Sequence, residues 1–524
     1  MTLVDDAPEA TRPTDHEVMV IGAGFSGIGT GIKLKEAGFH DFVIIDEADG
    51  PGGTWHWNTY PGIAVDIPSF SYQFSFEQRP DWSRSYAPGA ELKAYAEHCV
   101  SKYGLTDHMR FGVTVESARW DEDSDIWWIS TSKGLFTARQ LISANGILVR
   151  PNMPDIDGVD DFSGVTMHTS RWDHSVDLRG KRVGIIGTGA SAVQVIPSIA
   201  PEVQHLTVFQ RTPIWCMPKP DFPLASPLSW ALRRVPGVRD ITRLASQVFV
   251  EATFPIPAHF DRVIHVRPGA ERLALAYLKS QVADPETREK LTPRYGLGCK
   301  RPSFHNSYLS TFNRDNVSLV TEPIDHIGPA GVTTGTDNLH ELDVLILATG
   351  FKVMDPDNMP TYDLAGEDGL MLSKWWSENR LQAYEGISVP RFPNFFSIFG
   401  PYGYNGSSYF ALIEAQATHI IRVLKHARRV GASRVAVTQE ANDRFFEEML
   451  RRRKNQIFWQ ESCANANSYY FDKNGDVPLR PTTTLESAIR SRRFPLSDYD
   501  FQAANRDRGA GGASPARRTS SGSA

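Results

Sequence analysis

The sequence predicts an α/β protein built on parallel sheets, and three observations carry that prediction. Two apolar strands, near Val18 and near Val183, each run straight into a glycine turn and then a helix. A third apolar run, Leu342 to Ala348, ends in Thr349-Gly350. Strands alternating with helical stretches belong to βαβ units, whose sheets are parallel. A chain of 524 residues amounts to roughly three domain-sized units.

The first turn satisfies each requirement of a phosphate-binding crossover. Glu17 to Ile21 reads as a strand, and Gly22-Ala-Gly24-Phe25-Ser26-Gly27 follows at once. Gly22 permits the tight turn, Gly24 lets backbone approach a pyrophosphate, and Gly27 lets helix and strand pack closely. The helix after it, to about Ala37, offers free N–H groups and a positive dipole end to phosphates. Phe42 to Ile45 forms the next strand and ends in Asp46, placed to accept hydrogen bonds from a ribose. This is a Rossmann-like dinucleotide site.

The second turn repeats the design with one change. Lys181 to Ile186 is a strand, and Gly187-Thr188-Gly189-Ala190-Ser191-Ala192 opens a helix. Alanine in the third position is an accepted variant. The following strand, Leu206 to Phe209, ends in Gln210-Arg211-Thr212 with no acid. A carboxylate would repel a ribose 2′-phosphate, whereas the Arg211 guanidinium can pair with it, so this site is expected to prefer NADPH to NADH.

Between about 221 and 300 the pattern becomes helical (Leu228 to Val250, then Glu271 to Val282), broken by Pro and Gly. This reads as a helical insertion. Later come a strand, Phe395 to Phe399, a Gly400–Gly406 turn and a long helix from Ser407 to about Arg429. Residues 1–15 read as a flexible start and 503–524, rich in Gly, Ala, Ser and Arg, as a disordered tail.

Composition excludes other classes. Hydrophobic residues make up 41% and charged residues 22%, with a formal net charge of −6. That balance points away from nucleic acid and from an anionic membrane surface. Cys99, Cys216, Cys299 and Cys463 are widely separated and form no CxxC pair, so neither a redox dithiol nor a metal site is expected. The start of the chain lacks an apolar signal segment, and no apolar run is long enough to span a membrane. A cytoplasmic enzyme with small-molecule partners and no obligatory protein partner is the expectation.

Phe162-Ser-Gly164-Val-Thr-Met-His168-Thr-Ser-Arg-Trp172-Asp173 lies between the two turns. It resembles the FxGxxxHxxxW fingerprint of type I Baeyer–Villiger monooxygenases. The resemblance spans about Glu17 to Arg493 and includes Gly52-Gly53-Thr54-Trp55, Tyr60-Pro-Gly62, Asp66, Gly298-Cys-Lys300-Arg301, Ala348-Thr-Gly-Phe351 and Gly400-Pro-Tyr-Gly403. It implies FAD at the first turn, because a second glycine pair soon after the ribose acid is typical of such flavoproteins. It implies an FAD domain in two parts, 16–150 and 386–502, around an NADPH domain, 151–385, that carries the insertion. The implied activity uses NADPH and O2 to turn a ketone into an ester or lactone, through a flavin C4a-peroxide and a Criegee intermediate, with sulfides as further substrates.

The resemblance places the active-site arginine at Arg301 and its carboxylate partner at Asp66. The physics supports both roles. A permanent cation stabilises an anionic oxidant and the charge developing on the attacked carbonyl oxygen. A cation in a dry site needs a carboxylate to hold it. Candidate FAD contacts are Gly22, Gly24, Phe25, Ser26, Gly27, Asp46, Gly53, Thr54, Trp55, Tyr60 and Asp66. Candidate NADPH contacts are Gly187, Thr188, Gly189, Ala190, Ser191, Gln194, Arg211, Thr212, Lys300 and Arg301, with Lys300 resembling a second contact to the 2′-phosphate.

Asn145 stands where many members have Thr, and Tyr469, in Asn467-Ser-Tyr-Tyr470, where many have Trp. His168 reads as structural rather than as an acid or base, and the run Arg451 to Lys454 as a solvated helix face. Two other chemistries compete: N-oxygenation by a flavin monooxygenase, and an NADPH-dependent flavin reductase that inserts no oxygen. Trp172-Asp173 and the Asp66/Arg301 pair argue against the first, and the missing CxxC against the second.

Overall fold

The computed structural model describes residues 14–503, apart from 465 and 467. The predicted flexible start and tail therefore fall almost wholly outside the described residues. Two sheets organise the chain. In the first, β1 (His16–Ile21) lies parallel between β2 (Phe42–Asp46) and the long strand Gly134–Ser143. Its last four residues are all buried. Phe395–Ser397 pairs in parallel with the end of that long strand. The start of Gly134–Ser143 belongs instead to an antiparallel meander with Val115–Asp121 and Ile126–Thr131. So residues from opposite ends of the sequence complete one sheet.

β1 leads into α1 (Phe25–Glu36) through a turn that only glycine can make. A Cβ on Gly27 would sit 1.8 Å from the Gly22 carbonyl oxygen, so α1 could not approach the turn. Its opening residue, Phe25, packs its ring 4.6 Å from that of Phe410.

The second sheet is wholly parallel. β3 (Arg182–Ile186) feeds α2 (Ala190–Ile199), and β4 (His205–Phe209) follows. The strand order is 317–320, 205–209, 182–186, 344–347, 165–168. Both fingerprint turns therefore open onto the carboxyl ends of parallel strands, where α/β folds bind their ligands.

The breaks in the insertion fall at its Pro and Gly. The helical stretch from Leu228 to Val250 is two helices, α3 (Ser226–Arg234) and α4 (Val238–Thr253). Pro236 cannot continue the first, and Gly237, at φ +79, starts the second. The strand read as reaching Phe399 stops at Ser397, and Phe399 turns the chain at φ +65. The long helix is α5 (Tyr409–Val430). The run Arg451 to Lys454 is not simply solvated. Arg452 pairs with Glu448 and Glu486, and Arg453 pairs with Asp476 at 3.1 Å and lies over Trp459. Among the described residues no helix is long and apolar enough to cross a membrane.

Candidate active site

Arg301 and Asp66 stand 235 positions apart in the chain, and the fold brings them together. Arg301 Nε donates to Asp66 Oδ2 at 2.6 Å. Its Nη1 donates to the Gly406 carbonyl at 3.0 Å and to the Tyr404 hydroxyl at 3.3 Å. The guanidinium lies over the Phe254 ring, 5.3 Å from its centroid. Four segments thus converge on one cation: the loop before Asp66, the end of α4, the Gly298–Arg301 loop and the Gly400–Gly406 turn. Burial opposes the charge, but Asp66 and the surrounding tyrosines outweigh it, so Arg301 is held firmly protonated. Burial likewise pushes the Tyr404 phenol well above its ordinary range, so the hydroxyl that accepts from Arg301 stays neutral.

Arg301 and Asp66 line an open cleft with Ile67, Phe249, Phe254 and Phe304. The cleft is apolar on one wall and charged at its end, which suits a small neutral molecule with one polar atom. Gly406 has no room for a side chain there. A Cβ on it would sit 2.3 Å from the Phe254 ring. Lys219 was not singled out from sequence. Its Nζ donates to the Val65 carbonyl at 3.2 Å, beside Asp66, and burial lowers its pKa. Nothing local in the sequence marks it.

The four cysteines are not all independent thiols. Cys299 and Cys463, 164 positions apart and both buried, form a disulfide. No local spacing in the sequence reveals the pair. The bond joins the loop that ends in Arg301 to the segment that leads to Tyr469 and Tyr470. Cys99 and Cys216 remain free and buried.

The residues present fit two dinucleotides. A Cβ built on Gly189 meets nothing within 4 Å, and one on Gly24 meets only Gly53 backbone, at 3.5 and 3.9 Å. The space before α1 and α2 is therefore open at the helix ends where a pyrophosphate would lie. Asp46 accepts from the backbone N–H of Ala23 at 2.5 Å and of Ala48 at 2.8 Å, which fixes its carboxylate beside the first turn. Burial raises its pKa despite those bonds. At the second turn, Lys300 has its pKa lowered to about 8, first by burial and then by repulsion from Arg211. Two cations crowded together are the chemistry that an anion of more than one charge would match.

Some candidate contacts do other work. The Phe25 ring belongs to the core, and Ser26 is buried behind the turn. Trp55 Nε1 donates to the Tyr72 hydroxyl at 3.1 Å. Gln194 Nε2 donates to the Ala64 carbonyl at 2.9 Å, and its Oε1 accepts from the Tyr60 hydroxyl at 3.3 Å. Ser191 also reaches Tyr60. Tyr60, Ser191 and Gln194 thus stitch the first sheet's loop to α2. Thr188 Oγ1 donates to the Thr212 carbonyl at 2.8 Å, bracing the turn.

Comparison with known proteins now decides the family. The Baeyer–Villiger monooxygenase of Streptomyces coelicolor is 34% identical over 489 residues, 92% of each chain. This chain belongs to the Baeyer–Villiger monooxygenases. A cyclohexanone 1,2-monooxygenase from Acinetobacter is 32% identical over 87% of this chain and 88% of its own. The family model described as pyridine nucleotide-disulphide oxidoreductase matches residues 19–227. Among solved structures, OTEMO in complex with FAD and NADP has a TM-score of 0.84 at 28% identity, covering 93% of this chain and all of that one. An open structure of cyclohexanone monooxygenase has a TM-score of 0.80 at 31% identity, covering 94% and 100%.

The monooxygenase fingerprint occupies the seam between the sheets. Arg171 lies 3.8 Å over the Trp57 ring and His174 hydrogen-bonds Thr59 at 2.9 Å. The His168 Nδ1 accepts from the Ser170 backbone N–H at 3.1 Å, which leaves the proton on Nε2, facing the Gly350 backbone. Burial, then Arg171, lowers its pKa, so the ring stays neutral. His168 touches neither Arg301 nor Asp66 in these contacts; its Phe351 neighbour lies in the turn after the third apolar run. Asn145 is spent inside the protein, accepting from Ser143 and donating to Thr361. Tyr469 is 46% exposed, resting 4.5 Å from Tyr470.

Proposed function

We propose that this monooxygenase uses NADPH and FAD to insert one oxygen atom of O2 between a ketone carbonyl carbon and its neighbour, with Arg301 and Asp66 at the reacting centre. One oxygen atom ends in the ester or lactone and the other leaves as water, using the two electrons of one NADPH. FAD would lie along the first turn, on residues 16–150 and 386–502, and NADPH along the second, on 151–385. Bound FAD, once reduced, supplies the oxygen-activating chemistry. The observation that carries the reading is the Arg301–Asp66 pair at 2.6 Å at the end of an apolar cleft.

In this reading Arg301 performs two tasks. It holds negative charge on the oxidising side of the cleft without surrendering a proton, because its pKa is far above neutral. It also favours the charge that grows on the substrate carbonyl oxygen as the carbon is attacked. Asp66, Gly406 and Tyr404 fix the guanidinium in place beforehand, so no reorganisation is needed during the reaction. Sulfides fit the same apolar cleft and are proposed as secondary substrates.

The test is product balance. FAD-loaded enzyme with NADPH, O2 and a cyclic ketone such as cyclohexanone should form lactone with one NADPH consumed per lactone. NADPH consumption that yields only hydrogen peroxide across a panel of ketones would refute the proposal.

The Lys300–Arg211 pair predicts a pH dependence. Lys300 is charged below about pH 8 and loses its proton above it. The KM for NADPH should therefore rise roughly tenfold between pH 7 and pH 9, while that for NADH stays flat. Lys300→Met should remove the slope, and Arg211→Ala should shrink the NADPH preference. Titration of KM for both nucleotides checks this.

A further inference from the structure

α4 is inside out. Apart from Val250, which reaches the core, its inward face is polar. Arg243 Nη1 donates to the Gln73 carbonyl at 2.7 Å, Gln247 Nε2 to Ser407 Oγ at 2.9 Å, and Glu251 accepts from Ser407 Oγ at 2.7 Å. Its outward face is apolar: Ile241 is 69% exposed, Leu244 65%, Val248 60% and Phe249 38%. Trp230 of α3 is 62% exposed. A helix of a globular protein ordinarily turns its apolar stripe to the core, and an exposed contiguous stripe marks an interaction surface. Arg233, Arg234 and Arg239 are exposed around it, against Asp240 as the exposed acid of residues 227–252.

We propose that α3 and α4 dock this enzyme on an anionic lipid surface. The chain as a whole carries a charge of −6, so the attraction is local, set by three arginines beside an apolar stripe. That combination is the signature of a helix lying in the plane of a membrane interface, with arginines against headgroups and Ile241, Leu244 and Val248 among the upper acyl carbons. A second copy is a poor occupant, because a symmetric pairing sets the same basic rim against itself. The docked face is also next to the cleft. Phe249 is on the exposed stripe and lines the cleft, with Val250 and Thr253 of the same helix. An apolar substrate dissolved in lipid would reach Arg301 along one helix, a benefit that rests on the reading of the cleft; docking itself does not.

Flotation of the FAD-loaded enzyme with vesicles tests this without reference to turnover. Binding is expected to vesicles of equal phosphatidylglycerol and phosphatidylcholine, and to fall with added salt. Phosphatidylcholine alone should bind far less. Replacing Arg233, Arg234 and Arg239 by Ser should weaken binding on the order of a hundredfold. The triple variant Ile241→Ser, Leu244→Ser, Val248→Ser should not float, while FAD content stays that of the parent because these side chains are mostly exposed. Absence of flotation with anionic vesicles would overturn the proposal. So would a parent enzyme that sediments as a dimer and a serine variant that sediments as a monomer, since the occupant is then a second copy.

Discussion

Arg301→Ala is expected to lower ester formation on the order of a thousandfold while flavin reduction by NADPH proceeds. The substitution removes a permanent cation that four segments hold in place. It leaves both glycine turns, Asp46 and Lys300 untouched, so both nucleotides should still bind. NADPH then drains into hydrogen peroxide. Arg301→Lys keeps the charge but loses the planar fork that spans Asp66 and the Gly406 carbonyl, and should recover only part of the activity. Asp66→Ala should resemble it, because the remaining cation is left unpaired in a half-buried site. Lactone and peroxide measured side by side give the result. Normal lactone yield from Arg301→Ala would remove Arg301 from the reacting centre and leave the flavin reduction intact.

Glu385→Ala is expected to destabilise the protein by about 3–5 kcal/mol, the largest loss of any single replacement considered. Glu385 is buried and bonded to both Arg480 and Arg490, the latter at 2.7 Å. Arg490 extends the network to Glu448 at 3.0 Å. Removing the carboxylate strands Arg480, itself buried, without its counter-charge. The pH dependence follows from the same pair. Burial pushes the Glu385 pKa up, but the two arginines pull it down to about 2. The stabilisation is therefore complete above the unfolded value near 4.5 and is lost as pH falls from there toward 2. Urea titrations between pH 3 and pH 7 should show that acid limb flattened in Glu385→Gln. An unchanged limb would assign acid sensitivity to other carboxylates.

What the sequence disclosed follows from distance along the chain. Each glycine turn, its strands and its helix lie within about thirty residues, so local sterics write the whole unit. The same holds for Asp46 and for the absence of an acid at Arg211. The pairing of Arg301 with Asp66 came from resemblance, and the structure supplies what resemblance did not: Gly406 and Tyr404 as the other hands on the guanidinium. Those contacts join residues more than a hundred positions apart, and no periodicity records them. Gln194 and Tyr60 are candidate cofactor contacts. Their hydrogen bonds also join the two sheets, which only the docked arrangement reveals. The α4 pattern was visibly amphipathic, but a period of 3.6 residues says that a helix has two faces and not which one meets solvent.

The bond between Cys299 and Cys463 changes the topology of the molecule. An oxidised chain is a lariat: a closed ring from 299 to 463 with two tails. The ring includes the interior strand Val344–Leu347 of the second sheet, the Gly400–Gly406 turn and all of α5. A protease that cuts once inside it opens the ring without releasing either piece, so Arg301 stays tethered to Tyr469 and Tyr470 until a reductant is added. On a denaturing gel the intact oxidised chain therefore runs ahead of the reduced one, and a nicked chain falls into two bands only in the presence of thiol.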